Sequence, residues 1–460
     1  MKKLFSFAAV LFLSFSVFAA YNRFGIPDSS EIRSGLGEEW FFAPLSAVRN
    51  NIPQIRVNPN GEYFQIYLEE ADDTFQIYVS PRTEITVEVY TDSGIHREKQ
   101  LIYPGEAKGG FLLVRDKKNG EPIKIRYYFL ADSDVYIQFT PNGKMALADL
   151  VVFGNYAARG VPTGMPFEKF YSASFEDVYK ITQTKLPWEY VLIDTDLYSN
   201  VKQMIAVIRK CIPNIELTPD AVYDENEKLV HIVSGKAFED VDEKSETLYL
   251  SNPGFAKWIA DGLVEPVSNG LIKLTPLFQK TVQVKENGHQ GVLSQKANLY
   301  FSLDWIRNLS SAVISAFSGS TYMFNQSGVN VTVNPFASKI TEKGVSNTVT
   351  FIEDTGYTVS VLKSLMYVLA ATEPNTFYFG AIRETDRTVT PELKVFNECV
   401  VFFPYFNDNG AFACSVFIKG KEISINDFCL FYAGDFVYLT RVKASERFFP
   451  KGSEAVLSDN

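Results

Sequence analysis

Histidine is nearly absent from this chain, cysteine is scarce, and the usual signatures of catalysis are missing. His96, His231 and His289 are the three imidazoles. None has a Cys, a Glu or a second His at metal-ligand spacing, so no zinc site of the usual kinds is expected. No Gly-x-Ser-x-Gly corner, P-loop or dinucleotide fingerprint occurs, and no cofactor is implied. The Asp-x-Asp-x-Asp-Gly spacing of a calcium loop is also lacking. The acidic run Glu239, Asp240, Asp242, Glu243 therefore reads as a solvated loop. Positive charge is short as well: 44 Lys and Arg against 54 Asp and Glu leave a formal charge of −10. That balance argues against nucleic acid, which is held through clustered cations, and against an anionic lipid surface. Beyond the N-terminus no uncharged apolar run is long enough to cross a bilayer.

The N-terminus itself, MKKLFSFAAVLFLSFSVFAA, has the three parts of a secretory leader: Lys2 and Lys3, an apolar core from Leu4 to Phe18, and small residues at the end. Val17 and Ala19 suit the −3 and −1 positions, so residues 1–19 are expected to be a signal peptide. Export to the periplasm or cell surface follows, with no transmembrane segment after cleavage. The four Cys are Cys211, Cys399, Cys414 and Cys429, and the sequence does not choose among their three possible pairings. Cys211 lies on the stripe Val201, Met204, Ile205, Ile208, Cys211, and Cys414 alternates with Phe412, Val416 and Ile418. Both read as small buried hydrophobes. No disulfide framework is visible, and stability must come from packing.

What is abundant is β-forming and aromatic. A hydrophobic share of 46% with 38 Phe and 24 Tyr indicates globular, β-rich cores. After a stretch at 20–42 expected to be extended, the residues 43–153 read as an antiparallel β-sandwich. TEITVEVY, Thr83 to Tyr90, alternates as a half-buried strand, and Asn60-Gly61, Asn119-Gly120 and Asn142-Gly143 supply hairpin turns. Gly154, Gly160, Pro162, Gly164 and Pro166 crowd the next stretch, so 154–185 is expected to be a linker or crossing loop. Residues 186–450 mix helices, then strands. Helices are predicted at Ser199–Ile212, Pro253–Val264, Leu303–Phe317 and Tyr357–Ala371. Strands are predicted in TFYFGAIRE, ECVVFFPYF, FACSVFIKG and DFVYLTRVK. Helices gathered first and an antiparallel sheet later make an α+β domain; 451–460 is left as a tail.

One corner carries chemical interest. In LYLSNPGFAKWIADGL, Leu248 to Leu263, a strand turns sharply into an amphipathic helix. Together with the later strand NECVVFFPYF, this corner resembles the papain-like cell-wall endopeptidases of the NlpC type, over roughly residues 190–445. That family's corner reads about Asp-Cys-Ser-Gly-Phe-Val. Here Gly254 and Phe255 are retained, Asn252 stands in the nucleophile's place and Pro253 in that of the Ser. The family's His opens a later strand, which puts Asn397 or Glu398 near its place. A thiolate needs a helix N-terminus and a neighbouring imidazole to form at neutral pH; a carboxamide is no substitute, and no His follows His289. The resemblance thus implies a papain-like fold and a degenerate, non-catalytic copy.

A plainer reading of Ser251-Asn252-Pro253 is an ordinary helix start, Asn or Ser before Pro at the first helical position, since Asn accepts from the free N–H groups and Pro lacks one to satisfy. Trp258 shares the phase of Phe255 and Ile259 and reads as core. Asp304 and Arg307, three apart, are expected to pair. His231 could meet Cys211 or Cys429 only if folding joins them. The expected function is non-catalytic binding in the cell envelope, of peptidoglycan peptides or a protein partner. The groove would lie at the N-terminus of the Asn252 helix, lined by Asn252, Pro253, Gly254, Asn397 and Glu398, where N–H groups favour a ligand carboxylate. The alternatives are an active cell-wall hydrolase with an unrecognised site and a purely structural surface or adhesion protein.

Overall fold

The computed structural model describes residues 24–91, 94–239, 247–282, 298–337, 339–341, 344–346, 351–388, 390 and 392–453. The expected leader, His289, Asp240, Asp242, Glu243 and the chain after Ser453 lie outside the described residues. The chain divides into two units. The first holds the residues up to Tyr127 together with Glu168–Ile181; the second holds Tyr128–Phe167 and the chain from Thr182 on.

In the first unit, α1 (Ser30–Ser34) and α2 (Leu45–Val48) flank a π-helical turn at Gly37–Phe41. The segment expected to be extended is therefore largely helical turns, because Trp40 and Phe41 bury themselves in the core. The strands are β1 (Gln54–Val57), β2 (Tyr63–Glu70), β3 (Thr74–Pro81), β4 (Thr83–Thr91), β5 (Gly94–Ile102), β6 (Phe111–Asp116) and β7 (Pro122–Tyr127). They pair in the order β1-β2-β3-β6-β7, while β4 and β5 form a two-stranded sheet of their own. The antiparallel strands expected here are present, arranged as one sheet and a separate ribbon. Asn119-Gly120 turns β6 into β7, with Gly120 at φ +74° as such hairpins require. One face of the sheet is the core: Phe64, Ile66, Phe75, Ile77, Val79, Phe111, Leu113, Ile125 and Tyr127 alternate inward and are fully buried. A buried cation closes this core. Arg33 donates to Ser29 Oγ (2.9 Å), Tyr127 OH (2.9 Å), Tyr171 O (3.0 Å) and Ala173 O (2.8 Å), with Asp28 at 3.6 Å. It thereby ties the N-terminal segment and the turn before α3 (Phe175–Thr182) to the sheet.

The second unit opens with β8 (Val135–Asn142), β9 (Met145–Val152) and β10 (Asn155–Pro166), an antiparallel meander. Here the expected linker is corrected. Phe153 and Gly154 have φ of +45° and +76°, so they form a two-residue hairpin turn between β9 and β10. The Gly and Pro residues beyond it mark register shifts in β10, not a break in the sheet. The meander belongs to this unit because Asn155 Nδ2 donates to the buried Ser364 Oγ at 2.7 Å and Asp132 accepts from Phe412 N–H at 2.8 Å.

Next come α4 (Ser199–Cys211), β11 (Ile215–Leu217), β12 (Ala221–Tyr223), β13 (Leu229–His231), β14 (Leu248–Leu250), α5 (Asn252–Ser268) and α6 (Phe301–Ser318). After a small hairpin of β15 (Lys339–Thr341) and β16 (Gly344–Ser346) come β17 (Tyr357–Thr358) and α7 (Leu362–Thr372). The helix predicted from Tyr357 thus begins five residues later, after a strand and a 3-10 turn. The chain ends in β18 (Thr376–Asp386), β19 (Leu393–Phe406), β20 (Phe412–Ile418), β21 (Lys421–Ser424), α8 (Ile425–Phe431) and β22 (Phe436–Lys443). The result is α+β. A 6-stranded antiparallel sheet, ordered β17-β22-β18-β19-β20-β21, is covered on both faces. Phe377, Phe379, Val401, Phe403 and Phe417 pack toward α4, α5 and α6, whereas Tyr378, Val400, Phe402 and Val416 pack toward α7 and α8. That double burial explains why FYFGAI and CVVFFPYF are apolar runs and not alternations. The tail expected from residue 451 is anchored at its start. Pro266 lacks the N–H that would reach Gly262 O, and Phe449 N–H takes that carbonyl at 2.8 Å. Trp258 Nε1 then donates to Lys451 O at 2.9 Å; Trp258 is core, 3% exposed. Among the described residues no helix is long and apolar enough to cross a membrane.

Candidate functional site

At the corner, β14 ends and Ser251, in extended conformation, becomes the N-cap of α5. Its Oγ accepts from Gly254 N–H at 3.1 Å and donates to Ala221 O at 2.8 Å. The capping expectation is met by Ser251, and the helix opens at Asn252, one residue before the expected Pro253; a cap of this kind is worth about 1 kcal/mol of helix stability. A Cβ on Gly254 would stand 2.4 Å from Ala221 O, so only glycine fits. Phe255 is fully buried and stacks on Trp258, with centroids 5.4 Å apart. Pro253 has no N–H, and Phe255 N–H bonds Ser251 O at 2.8 Å. The backbone donors proposed for a ligand carboxylate are thus mostly consumed by the cap, and Pro253 and Gly254 are structural.

Asn252, relieved of capping, turns its side chain to the sheet. Its Nδ2 donates to Glu398 Oε2, and its Oδ1 accepts from Lys419 N–H at 3.0 Å. Glu398 Oε1 in turn lies 3.0 Å from Lys419 Nζ. The strand geometry decides which of the two candidate residues arrives. Ile382 pairs with Glu398 and Arg383 with Phe396, so Asn397 is the extra residue of a β-bulge, exposed and pointing elsewhere. Lys419 sits in the two-residue turn between β20 and β21, with φ +52° at Lys419 and +65° at Gly420. That turn presents its N–H to Asn252 and its ammonium to Glu398.

The electrostatics are mixed. Burial would lower the Lys419 ammonium, but the hydrogen bond and charge of Glu398 outweigh it and hold the group above its ordinary value. Nearby Glu384 is raised, first by burial and then by the charge of Glu398. Burial also raises the Tyr432 phenol, which feels Lys419 and Glu398. Asn252 is 8% exposed, and the side chains of Glu398 and Lys419 are 22% and 49% exposed. The cluster can accept and donate hydrogen bonds, and it offers both charge signs. It has no thiol–imidazole pair to act as an activated nucleophile.

The thiols do not provide one elsewhere. Burial pushes Cys399 up to about 12 and raises Cys414 and Cys429 as well. Cys211 is buried on the apolar face of α4. The Cys429 thiol donates to Val359 O at 3.5 Å. His231 Nδ1 lies 3.2 Å from Asp220 Oδ2 and its ring stacks on Phe238, 3.8 Å between centroids, so neither suggested Cys–His pair forms. Among the described residues no three His, Cys, Asp or Glu side chains are grouped to hold a metal ion. Asp304 and Arg307 do not meet directly: both bond Thr281 Oγ1, at 2.7 and 3.1 Å, and Arg307 pairs with Asp354 at 2.8 Å. Lys257 is wholly buried and pairs with Asp261 at 2.6 Å, beside a cavity of about 20 Å³, the size of one water.

Sequence reasoning missed Lys419 and Glu384. The Lys419-Gly420 pair between two apolar runs was a readable turn signal, but nothing in one sequence tells what a turn residue faces.

A family model described as "Domain of unknown function (DUF8515)" matches residues 22–190. This stretch covers β1 to β10 and α3 and stops before α4, so it does not include the Asn252 corner. No curated protein matches the chain, and no solved structure does.

Proposed function

We propose that the second unit is a non-catalytic binding module built on an NlpC-like plan, and that the chain acts in the cell envelope by holding a peptide it does not cut. The observation that carries the reading is the hydrogen bond between Asn252 and Glu398. The resemblance puts a nucleophile at Asn252 and its imidazole at Asn397 or Glu398, and Asn252 and Glu398 are an amide and a carboxylate bonded to each other. The raised thiols of Cys399, Cys414 and Cys429 favour the same reading over an active cysteine hydrolase, since a protonated thiol is a poor nucleophile.

The ligand class suggested is a peptidoglycan stem peptide, which carries both carboxylates and an ammonium. Lys419 would meet the first, and Glu384 and Glu398 the second. Export through the N-terminal leader belongs to the same proposal, and N-terminal sequencing of the secreted product should begin at Ala20. The binding test is calorimetric titration of the purified protein with soluble muropeptides, followed by chromatography of the ligand. Binding without new products is expected, weakened in Lys419→Ala and Glu398→Gln. Muropeptide cleavage by the wild type, or absence of binding, would overturn the reading.

A further inference from the structure

Little of the ribbon of β4 and β5 is covered by the rest of the described chain. β5 is exposed from Gly94 to Leu101, and Tyr90, Ile95 and Leu101 are 77%, 59% and 57% exposed. On the other face Ile85, Val87 and Val89 are only half-buried. Two strands of nine residues each, without a third, are marginal in water on their own. Among the described residues no third strand pairs with either outer edge, and such an edge is a template for another strand. The two edges also differ in charge. β4 carries Glu84 and Glu88 and no cation, whereas β5 carries Arg97 and Lys99 around Glu98. Across the ribbon these form the pairs Arg97–Glu88 at 3.2 Å and Lys99–Glu84 at 2.7 Å.

We propose that the β4 edge of one copy of this chain receives the β5 edge of a second copy, giving head-to-tail self-association through the ribbons. In an antiparallel register that repeats the internal one, Glu84 and Glu88 gain a second Lys99 and Arg97 on their outer side. The stripe of Ile85, Val87 and Val89 on the opposite face becomes wider. The symmetric alternatives are opposed by charge. β4 against β4 sets carboxylate beside carboxylate, and β5 against β5 about Glu98 sets Arg97 beside Lys99; like charges directly opposite destabilise a strand pair. A contact between unlike edges leaves one edge free at each end, so it extends instead of closing as a dimer.

Sedimentation velocity of the full chain tests this. The mean mass should rise with protein concentration and fall as salt screens the exposed pairs. Glu84→Lys with Glu88→Lys should weaken self-association roughly tenfold or more, as should Arg97→Glu with Lys99→Glu. An equimolar mixture of the two doubly substituted proteins should restore it, since their reversed edges match. A variant in which Gly-Gly joins Thr83 to Ile102 removes the ribbon without asking it to fold, and it should be monomeric. A wild type that stays monomeric overturns the proposal. So does association that survives ribbon removal, or a mixture that fails to associate. A monomer that sediments with phosphatidylglycerol vesicles through the ribbon overturns it too, and assigns the surface to lipid.

Discussion

Arg33 in the first unit and Lys419 in the second are both cations set beside a carboxylate, yet they do opposite things. The Arg33 side chain is fully buried and spends its donors on a hydroxyl, a phenol and two backbone carbonyls. Nothing is left to offer, and the cluster is a structural rivet. The Lys419 side chain is half exposed, anchored by one carboxylate that Asn252 also holds. Its ammonium has three donors and one ion-pair partner. A polar cluster that is saturated and dry serves the fold; one that is organised but left open is available to a ligand.

The contrast can be broken most severely at the rivet. Arg33→Met should cost the first unit about 3–5 kcal/mol, because it removes four hydrogen bonds made by a buried guanidinium, to Ser29 Oγ, Tyr127 OH, Tyr171 O and Ala173 O. Urea unfolding followed by tryptophan emission, with Trp40 reporting from that unit, measures it. The next effect is at the corner, where Gly254→Ala should cost about 1–3 kcal/mol as the new methyl collides with Ala221 O; thermal unfolding reads it, and ligand binding should fall with it. The smallest is at Glu384. Its carboxyl is raised in the folded state, so the folded chain binds the proton more tightly. The stability this confers is present below the ordinary value of 4.5 and is lost as pH rises through the raised one. Glu384→Gln should therefore flatten that slope, making the variant relatively more stable at neutral pH. Solvent screening at this partly exposed group limits the gain to about 0.5 kcal/mol. Stability curves at several pH values check it, and an unchanged slope would remove Glu384 from the cluster.

Much of the architecture was readable along the chain. The hairpin at Asn119-Gly120, the stripe of α4 and the strands from Thr376 to Lys443 follow local rules of turn chemistry and period, so single residues announce them. The errors share a cause. Gly154 to Pro166 reads as a linker or crossing loop but folds as a turn and β10, because glycine and proline relax or forbid backbone states without saying whether a neighbouring strand accommodates them. Phe317 closes the helix predicted at Leu303–Phe317 as a large apolar residue, yet it is 47% exposed. The helix start reads as Asn or Ser before Pro, and Ser251 takes the cap because it has the extended backbone that a cap needs.

The corner shows the same division. That Asn252 and residue 397 or 398 should be compared came from the order of helix and strand. That the partner is Glu398 depends on one bulge in β19, a feature no periodicity reveals.

By itself the amino-acid sequence determined the α+β class, the scarcity of imidazole and thiol, and the excess of carboxylates, because composition and period act locally and need no partner. The tertiary structure alone decided that Asn252, Glu398 and Lys419 share one cluster, that Arg33 is buried, and that β4 and β5 stand apart from their sheet. Those outcomes depend on which distant segments meet, and distance along a chain carries no information about the burial or charge that a side chain will find there.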